Sequence, residues 1–354
     1  MTADEATYER LIEPHRRELH VHCYRMLGSV HEADDALQET LLRAWRGLGG
    51  FQGRSSLRSW LYSIATNACL TALDRRSRRM LPLDHGPPAE PHAIPAEPLV
   101  ESAWIEPYPD ESPDASYERR EAIELAFIAA LQAMPATQRA VLILREVLGF
   151  TAKEAAELLD TTVASINSAL QRARASVEER VPERSQQQTL RALGDEGLRA
   201  IVDRYVAAWE SNDVEAFTAL LTEDATFAMP PLSTWYRGRA DIAVWAANSP
   251  LSGEWRWRTR FVRANGQPAL GFYAWHAGER AWLPFALNVL TLRGSQVSDV
   301  VAFIARPADP LPVERFARFP DEPPDPAKVE RFFGAFGLPD RLPPRPLLPS
   351  APSL

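Results

Sequence analysis

Residues 81–118 hold nine prolines and nine acidic side chains, with no lysine or arginine among them. Such a stretch cannot form a packed element: proline removes backbone donors, and unbalanced carboxylates repel one another. It reads as an extended linker that cuts the chain, and 354 residues are in any case too many for one ordinary domain. Residues 1–80 are helical in pattern, with no proline after Pro14, and residues 119–185 are helical again. After a polar joint at 184–189, residues 195–305 begin with helices and turn to alternating, aromatic-rich strands. Residues 306–354 form a Pro-rich tail with one short amphipathic segment at 327–336.

The net charge of −8 comes from the linker, which alone is −9, because residues 1–80 carry 12 basic and 10 acidic side chains and residues 119–185 carry nine of each. A free DNA binder normally has a stronger basic footprint. A DNA-binding role would therefore need another macromolecule to supply much of the affinity. No segment is apolar enough to span a membrane, and the first ten residues are charged from the start, so a cytoplasmic protein without an export signal is expected. Cys23 and Cys69 share no metal or redox spacing and read as reduced core residues. His20 and His22, two apart on a helix, point to different sides, so no metal site is expected, nor any cofactor.

In residues 32–45, Ala33, Leu37, Leu41, Ala44 and Trp45 make an apolar helical stripe, opposite Asp34, Asp35, Gln38 and Arg43. The polar loop 51–56, with Phe51, Arg54 and Ser55, leads to a long helix that Ser55 or Ser56 can cap. This helix is expected to expose Arg58, Tyr62 and Asn67. It ends in Arg75, Arg76, Arg78 and Arg79, more cations than a helix dipole calls for, and suited to a phosphate backbone. Further on, Thr151 to Glu154 has the pattern of a capping box opening a short helix; a turn at 160–162 and a second helix from Val163 follow. Val163, Ile166, Ala169, Leu170, Ala173 and Val177 form its expected buried stripe. Thr162, Ser165, Asn167, Ser168, Gln171 and Arg172 bring small and hydrogen-bonding groups to the other side, the pattern of a helix-turn-helix reading base edges.

These residues carry a resemblance. DDALQETLLRAW, with FQGRSSLRSWLYSIATNACLTALDRR, resembles region two of a sigma-70 family factor, and LQAMPATQRAVLILREVLGFTAKEAAELLDTTVASINSALQRAR resembles region four. Their order and spacing resemble the extracytoplasmic-function group. Trp104-Ile-Glu-Pro-Tyr-Pro-Asp110, together with a further C-terminal domain, is similar to its SigG-like subgroup. The resemblance implies that Asp34, Asp35, Gln38 and Arg43 dock on the beta-prime clamp of core RNA polymerase. It implies that Phe51, Arg54, Ser55, Arg58, Asn67, Arg75 and Arg76 melt and read the minus-ten element. Thr162, Ser165, Asn167, Ser168, Gln171 and Arg172 would then face the minus-thirty-five element, with region four on the beta flap. The acidic linker would thread the basic RNA-exit path.

In residues 195–305, helices precede a meander of long strands with turns at Asn265-Gly266 and Arg293-Gly294. With YVAAWESNDVEAFTALLTEDATF at its front, this part is similar to the SnoaL-like, nuclear-transport-factor-2-like cone. Trp235, Trp245, Trp257, Tyr273, Phe285 and Asn288 are candidates to line a small-ligand pocket there. Asp224 and His276 are the one acid–base pair available, and His276 sits by a turn, so a sensing or packing role is expected rather than catalysis.

The expected fold is thus multidomain. A region two bundle (1–80), an acidic linker (81–118) and a region four helix-turn-helix (119–185) are all-α, followed by an α+β cone with a curved antiparallel sheet (195–305) and a tail. The expected function is that of a non-enzymatic sigma factor, recruiting core RNA polymerase to promoter DNA and modulated by its C-terminal domain. The alternatives are a stand-alone helix-turn-helix regulator and a small-molecule enzyme carried by the cone.

Overall fold

The computed structural model describes residues 5–53, 55–74, 76, 78–93, 99, 103–110, 122–305 and 324–344. It has two compact units, Met1–Leu81 with Ser102–Gln187, and Pro82–Glu101 with Gln188–Leu354. No helix among the described residues is long and apolar enough to cross a membrane.

The first unit is helical: α1 (Glu5–Ile12), α2 (Arg16–Leu27), α3 (Val30–Leu48), α4 (Leu57–Leu73), α5 (Leu125–Ala133), α6 (Ala136–Leu142), α7 (Ala152–Leu158) and α8 (Val163–Arg180). A π turn, Ile143–Val147, follows α6. Small polar residues start several of these helices by accepting an orphan backbone N–H. Ser29 does so for α3, Ser56 for α4 and Thr162 for α8, and Thr151 with Glu154 closes the capping box of α7. Gly28 stops α2 in the left-handed conformation (φ 71°), and a Cβ there would lie 2.9 Å from the Gln132 side chain, so this position needs glycine twice over.

Three expectations are corrected in this unit. Trp45 leaves the α3 stripe: it is 40% exposed and meets the Tyr8 ring edge-on at 4.9 Å. Tyr62, expected on the exposed side of α4, is fully buried because Phe150 packs against it, ring centroids 5.6 Å apart. Val163, in the first turn of α8, is 43% exposed, whereas Ile166, Ala169, Leu170 and Ala173 are buried as their spacing predicts.

In the second unit, α9 (Gln186–Glu210, kinked at Gly194), α10 (Val214–Ala219) and α11 (Arg239–Asn248) accompany a six-stranded sheet. Its strands are β1 (Leu221–Ala228), β2 (Trp235–Arg237), β3 (Trp257–Ala264), β4 (Gln267–His276), β5 (Ala281–Arg293) and β6 (Gln296–Ile304), in the order β2-β1-β6-β5-β4-β3. All neighbours are antiparallel except β1 and β6, which run parallel. Asn265 and Gly266 both take positive φ (55° and 69°), the two-residue turn that their sequence predicts. The interior is aromatic: Tyr205, Trp209, Phe217, Phe227, Tyr236, Trp245, Trp257 and Phe272 share one core.

The described residues of the linker and of the tail make ordered contacts that composition does not suggest. Ala89 N–H donates to Trp235 O at 2.8 Å, Leu99 N–H to Pro231 O at 2.9 Å, and Trp235 Nε1 to Gly86 O at 2.9 Å. Two linker N–H groups and one linker carbonyl are thus spent on the chain around the short edge strand β2. The tail segment α12 (Pro326–Phe332) and the turn after it cover the outer side of the sheet. Gly271 makes room for this, since a Cβ there would lie 2.5 Å from Leu338 Cδ1. Tyr273 OH donates to Pro339 O at 2.9 Å, and Trp282 and Leu342 exchange backbone hydrogen bonds of 3.1 and 2.9 Å.

Candidate nucleic-acid interface

Helix α3 buries Ala33, Leu37 and Ala44 and so turns Asp34, Asp35, Gln38 and Arg43 to solvent. Arg43 Nε pairs with Glu39 one turn back at 2.6 Å, and Asp34 Oδ1 lies 3.2 Å from His20 Nε2. Asp35 and Gln38, the other residues of this row, are exposed.

The residues expected at the minus-ten element are in mixed states. Phe51 is half-buried on Trp60, ring centroids 5.1 Å apart; Ser55 and Asn67 are exposed; Arg54 and Arg75 lie outside the described residues. Arg58 is engaged within the protein. Its Nε is 3.4 Å from Glu18 Oε2, its Nη1 donates to Leu148 O at 3.4 Å, and its guanidinium lies 4.8 Å from the Tyr62 ring and 5.0 Å from the Phe150 ring. Tyr62 donates to the same Glu18 carboxylate at 3.1 Å, and burial raises its pKa. The terminal arginines are corrected too. Helix α4 ends at Leu73, before them, and Glu32 holds both Arg76 and buried Arg79. A buried carboxylate needs such partners, which accounts for buried Arg79 without any phosphate, while Arg76 stays 45% exposed at its side chain.

Sequence reasoning missed what holds these helices together. Arg139, on α6, is buried and donates to Leu131 O at 2.8 Å, to Gln132 Oε1 at 2.6 Å and to Met26 O on α2. Burial pushes its pKa down to about 10. Gln132 Nε2 donates to Arg25 O at 3.1 Å, and Arg25 Nε to Ala122 O at 2.9 Å. The acceptors that join separate segments, Met26 O, Arg25 O and Ala122 O, are main-chain carbonyls 97 to 113 residues away in sequence, so no local pattern could announce them.

Helix α8 presents Thr162, Ser165, Asn167, Ser168, Gln171 and Arg172, all exposed, beyond the short helix α7. Thr162 Oγ1 accepts from Ser165 N at 3.2 Å. The N–H and hydroxyl of Thr151, donating to Glu154, hold that carboxyl below its ordinary range. The second helix is therefore capped and pre-formed, with its polar side open.

In the sheet unit the candidate pocket residues part company. Trp245 stacks on Tyr236 at 5.0 Å and Trp257 on Trp255 at 5.3 Å, Phe285 meets Trp257 at 5.0 Å, and Asn288 is buried. Tyr273 lies outside that core: it alternates with Phe272 and Ala274 on β4 and sits beneath the tail. Trp235 turns to the linker. Asp224 is exposed and bound by Arg293 at 3.0 Å, and hydrogen bonds from Thr222 and Arg293 lower its pKa. His276 Nδ1 accepts from Glu279 N at 3.0 Å. β6 and β5 separate the strands of this pair, about 14 Å at ordinary strand spacing, so they do not converge on one substrate. Among the described residues no group of histidine, cysteine and acidic side chains is arranged to hold a metal.

Comparison with known proteins agrees with this layout. Family models match as Sigma-70 region 2 at residues 11–79, Sigma-70 region 4 at 124–177 and a SnoaL-like domain at 202–305. The chain is 44% identical over 301 residues to the ECF RNA polymerase sigma factor SigG of Mycobacterium tuberculosis, covering 82% of this chain and 80% of that one. It is 30% identical over 175 residues to the ECF RNA polymerase sigma factor SigM of the same species, covering 49% of this chain and 77% of that one. In fold it is similar to the crystal structure of the M. tuberculosis extracytoplasmic function sigma factor SigJ, with a TM-score of 0.54 at 20% identity, covering 85% of this chain and 96% of that one. The chain belongs to the extracytoplasmic-function group of sigma-70 family RNA polymerase sigma factors, and carries a SnoaL-like domain after region four.

Proposed function

We propose that α3 docks on the clamp of the polymerase beta-prime subunit through Asp34, Asp35, Gln38 and Arg43, and that α8 enters the major groove of the minus-thirty-five element. In this reading Phe51, Arg54, Ser55, Arg58, Asn67, Arg75 and Arg76 meet the minus-ten element, and region four also meets the beta flap. The chain acts in the cytoplasm, with its polymerase, and catalyses no covalent step. The observation that carries this reading is a contrast: the polar sides of α3 and α8 are open, while Arg58, half-buried, is engaged by Glu18, Leu148 and the Phe150 ring. A chain arranged so can meet polymerase and duplex first and reach the minus-ten strand only after Arg58 is released. The test pairs run-off transcription using core polymerase with a gel shift lacking it. Promoter-specific transcripts and no tight duplex complex are expected. Tight binding to duplex without polymerase favours the stand-alone regulator and overturns the reading.

We also propose that the SnoaL-like domain modulates this activity, responding to a small uncharged ligand. Tyr205 OH, Trp209 Nε1 and Asn288 Oδ1 are buried without an aligned hydrogen-bond partner. They are near enough that Asn288 and Trp209 partly offset the burial that raises the Tyr205 pKa. The core around them is built of apolar and aromatic side chains. Deleting residues 195–354 tests the modulation: transcription identical with and without them overturns it.

A further inference from the structure

The connecting segment does more than join two regions. Residues 103–106 lie along the end of region two: Met80 N–H donates to Ala103 O at 2.9 Å, Ile105 N–H to Met80 O at 3.1 Å, and Arg79 Nη1 to Trp104 O at 2.6 Å. Glu106 is then held at both ends of its main chain, its N–H donating to Gly28 O at 2.9 Å and its carbonyl accepting from Tyr24 OH at 2.8 Å. Its side chain lands on the start of α3. Glu106 Oε2 accepts from Ser29 Oγ at 2.9 Å, Val30 N at 2.9 Å and His31 N at 3.4 Å, while Ser29 Oγ accepts from Glu32 N at 3.2 Å. The first three N–H groups of α3 are thus satisfied, with a carboxylate at the positive end of the helix dipole.

Two residues on, Tyr108 packs on α2, the helix that precedes α3. Its hydroxyl is 2.8 Å from His20 Nδ1, and its ring packs on Tyr24 at 4.5 Å. His20 Nε2 lies 3.2 Å from Asp34 Oδ1. The phenol fixes the His20 ring, and Nε2 then faces the Asp34 carboxylate as a close contact rather than an aligned hydrogen bond. Asp34, 56% exposed at its side chain, thus has a fixed neighbour on the protein side, the His20 ring that Tyr108 holds.

We propose that Glu106 and Tyr108 are positioning residues for polymerase docking. Glu106 fixes where α3 begins, and Tyr108, through His20, fixes the Asp34 carboxylate. The proposal rests on the docking role given above to Asp34. Holding a carboxylate in place before association lowers the ordering cost of binding, so loss of the phenol hydroxyl weakens docking although Tyr108 itself touches no polymerase.

The experiment is a double-mutant cycle on the full-length protein, measuring affinity for core polymerase without DNA by fluorescence anisotropy. Asp34→Ala weakens binding about tenfold or more, and Tyr108→Phe about threefold to fivefold. In the Asp34→Ala background, Tyr108→Phe adds nothing, a coupling that a purely structural role would not produce. Glu106→Ala weakens binding about tenfold, and Glu106→Gln recovers part of it, because the amide oxygen still accepts from Val30 and Ser29. If Asp34→Ala leaves affinity unchanged, the docking reading fails. If Asp34→Ala weakens binding while Tyr108→Phe is silent, or costs the same in both backgrounds, the positioning role is overturned. Should Glu106→Ala unfold region two, the Tyr108→Phe cycle decides alone, since it removes one hydroxyl and keeps the ring.

Discussion

The guanidinium of Arg58 lies 5.0 Å from the centre of the Phe150 ring, so a region-two cation on α4 is roofed by the residue that precedes the helix-turn-helix. Phe150 also covers Tyr62 and is itself 5% exposed. The two regions therefore share a small aromatic core around one cation.

Phe150→Ala opens that core. Removing a buried ring costs about 3 kcal/mol or more, and here the loss falls on the contact between α4 and region four. Hydrogen exchange followed by mass spectrometry is expected to show faster exchange in residues 57–63, with α3 unchanged. Wild-type rates in 57–63 would show that Phe150 does not hold Arg58.

His22 makes the unit acid-sensitive. Buried, with Nε2 2.9 Å from Thr66 Oγ1, it has a pKa lowered to about 3, by burial first and then by Arg25 and Arg58. An unfolded histidine titrates near 6.5, so between these two values the unfolded chain carries a proton that the folded one lacks. Stability therefore falls as pH drops below about 6.5, by up to roughly 1.4 kcal/mol per pH unit. Thermal melts between pH 7.5 and 4.5 are expected to show this slope, and His22→Gln to flatten it. Equal slopes in both proteins would place the sensitivity elsewhere.

Arg172 is exposed on the open side of α8. Holoenzyme carrying Arg172→Ala is expected to bind promoter more weakly. If the contact is to phosphate, the salt dependence of log K becomes shallower by about 1 and all promoters weaken together. A loss confined to promoters with one base changed would mean that Arg172 reads that base.

Gly271→Ala places a methyl group 2.5 Å from Leu338 Cδ1, with Phe333 Cε1 at 3.3 Å closing the way out. The expected cost is about 1–3 kcal/mol, borne by the tail's seat on the sheet. Limited proteolysis should cut residues 324–344 sooner than in the unaltered protein; equal cutting would mean that Leu338 moves aside freely.

Much of this could be read from the chain. Helix stripes such as Ile166, Ala169 and Ala173 follow from spacing, the caps at Thr151 and Ser56 from residue type, and the Asn265-Gly266 turn from its demand for positive φ. Of the interface, the exposed rows of α3 and α8 were legible because each is the polar complement of an apolar stripe. Arg58, Arg76 and Arg79 were not: an arginine in sequence says nothing of whether its counter-charge is a phosphate or a carboxylate such as Glu18 or Glu32. Tyr273 misled for another reason. Ring content suggested a pocket, yet alternation along β4 sends it to the side opposite Phe272.

The seating of Glu106 at the start of α3 sets where this protein can be divided. A polypeptide cut after Leu81 would contain every residue of the region-two helices and still leave the N-terminal amides of its principal helix without their carboxylate. One that runs on to Asp110 keeps them. The natural boundary of region two therefore falls some thirty residues later than helix counting would put it, on the far side of a stretch that belongs to another folding unit.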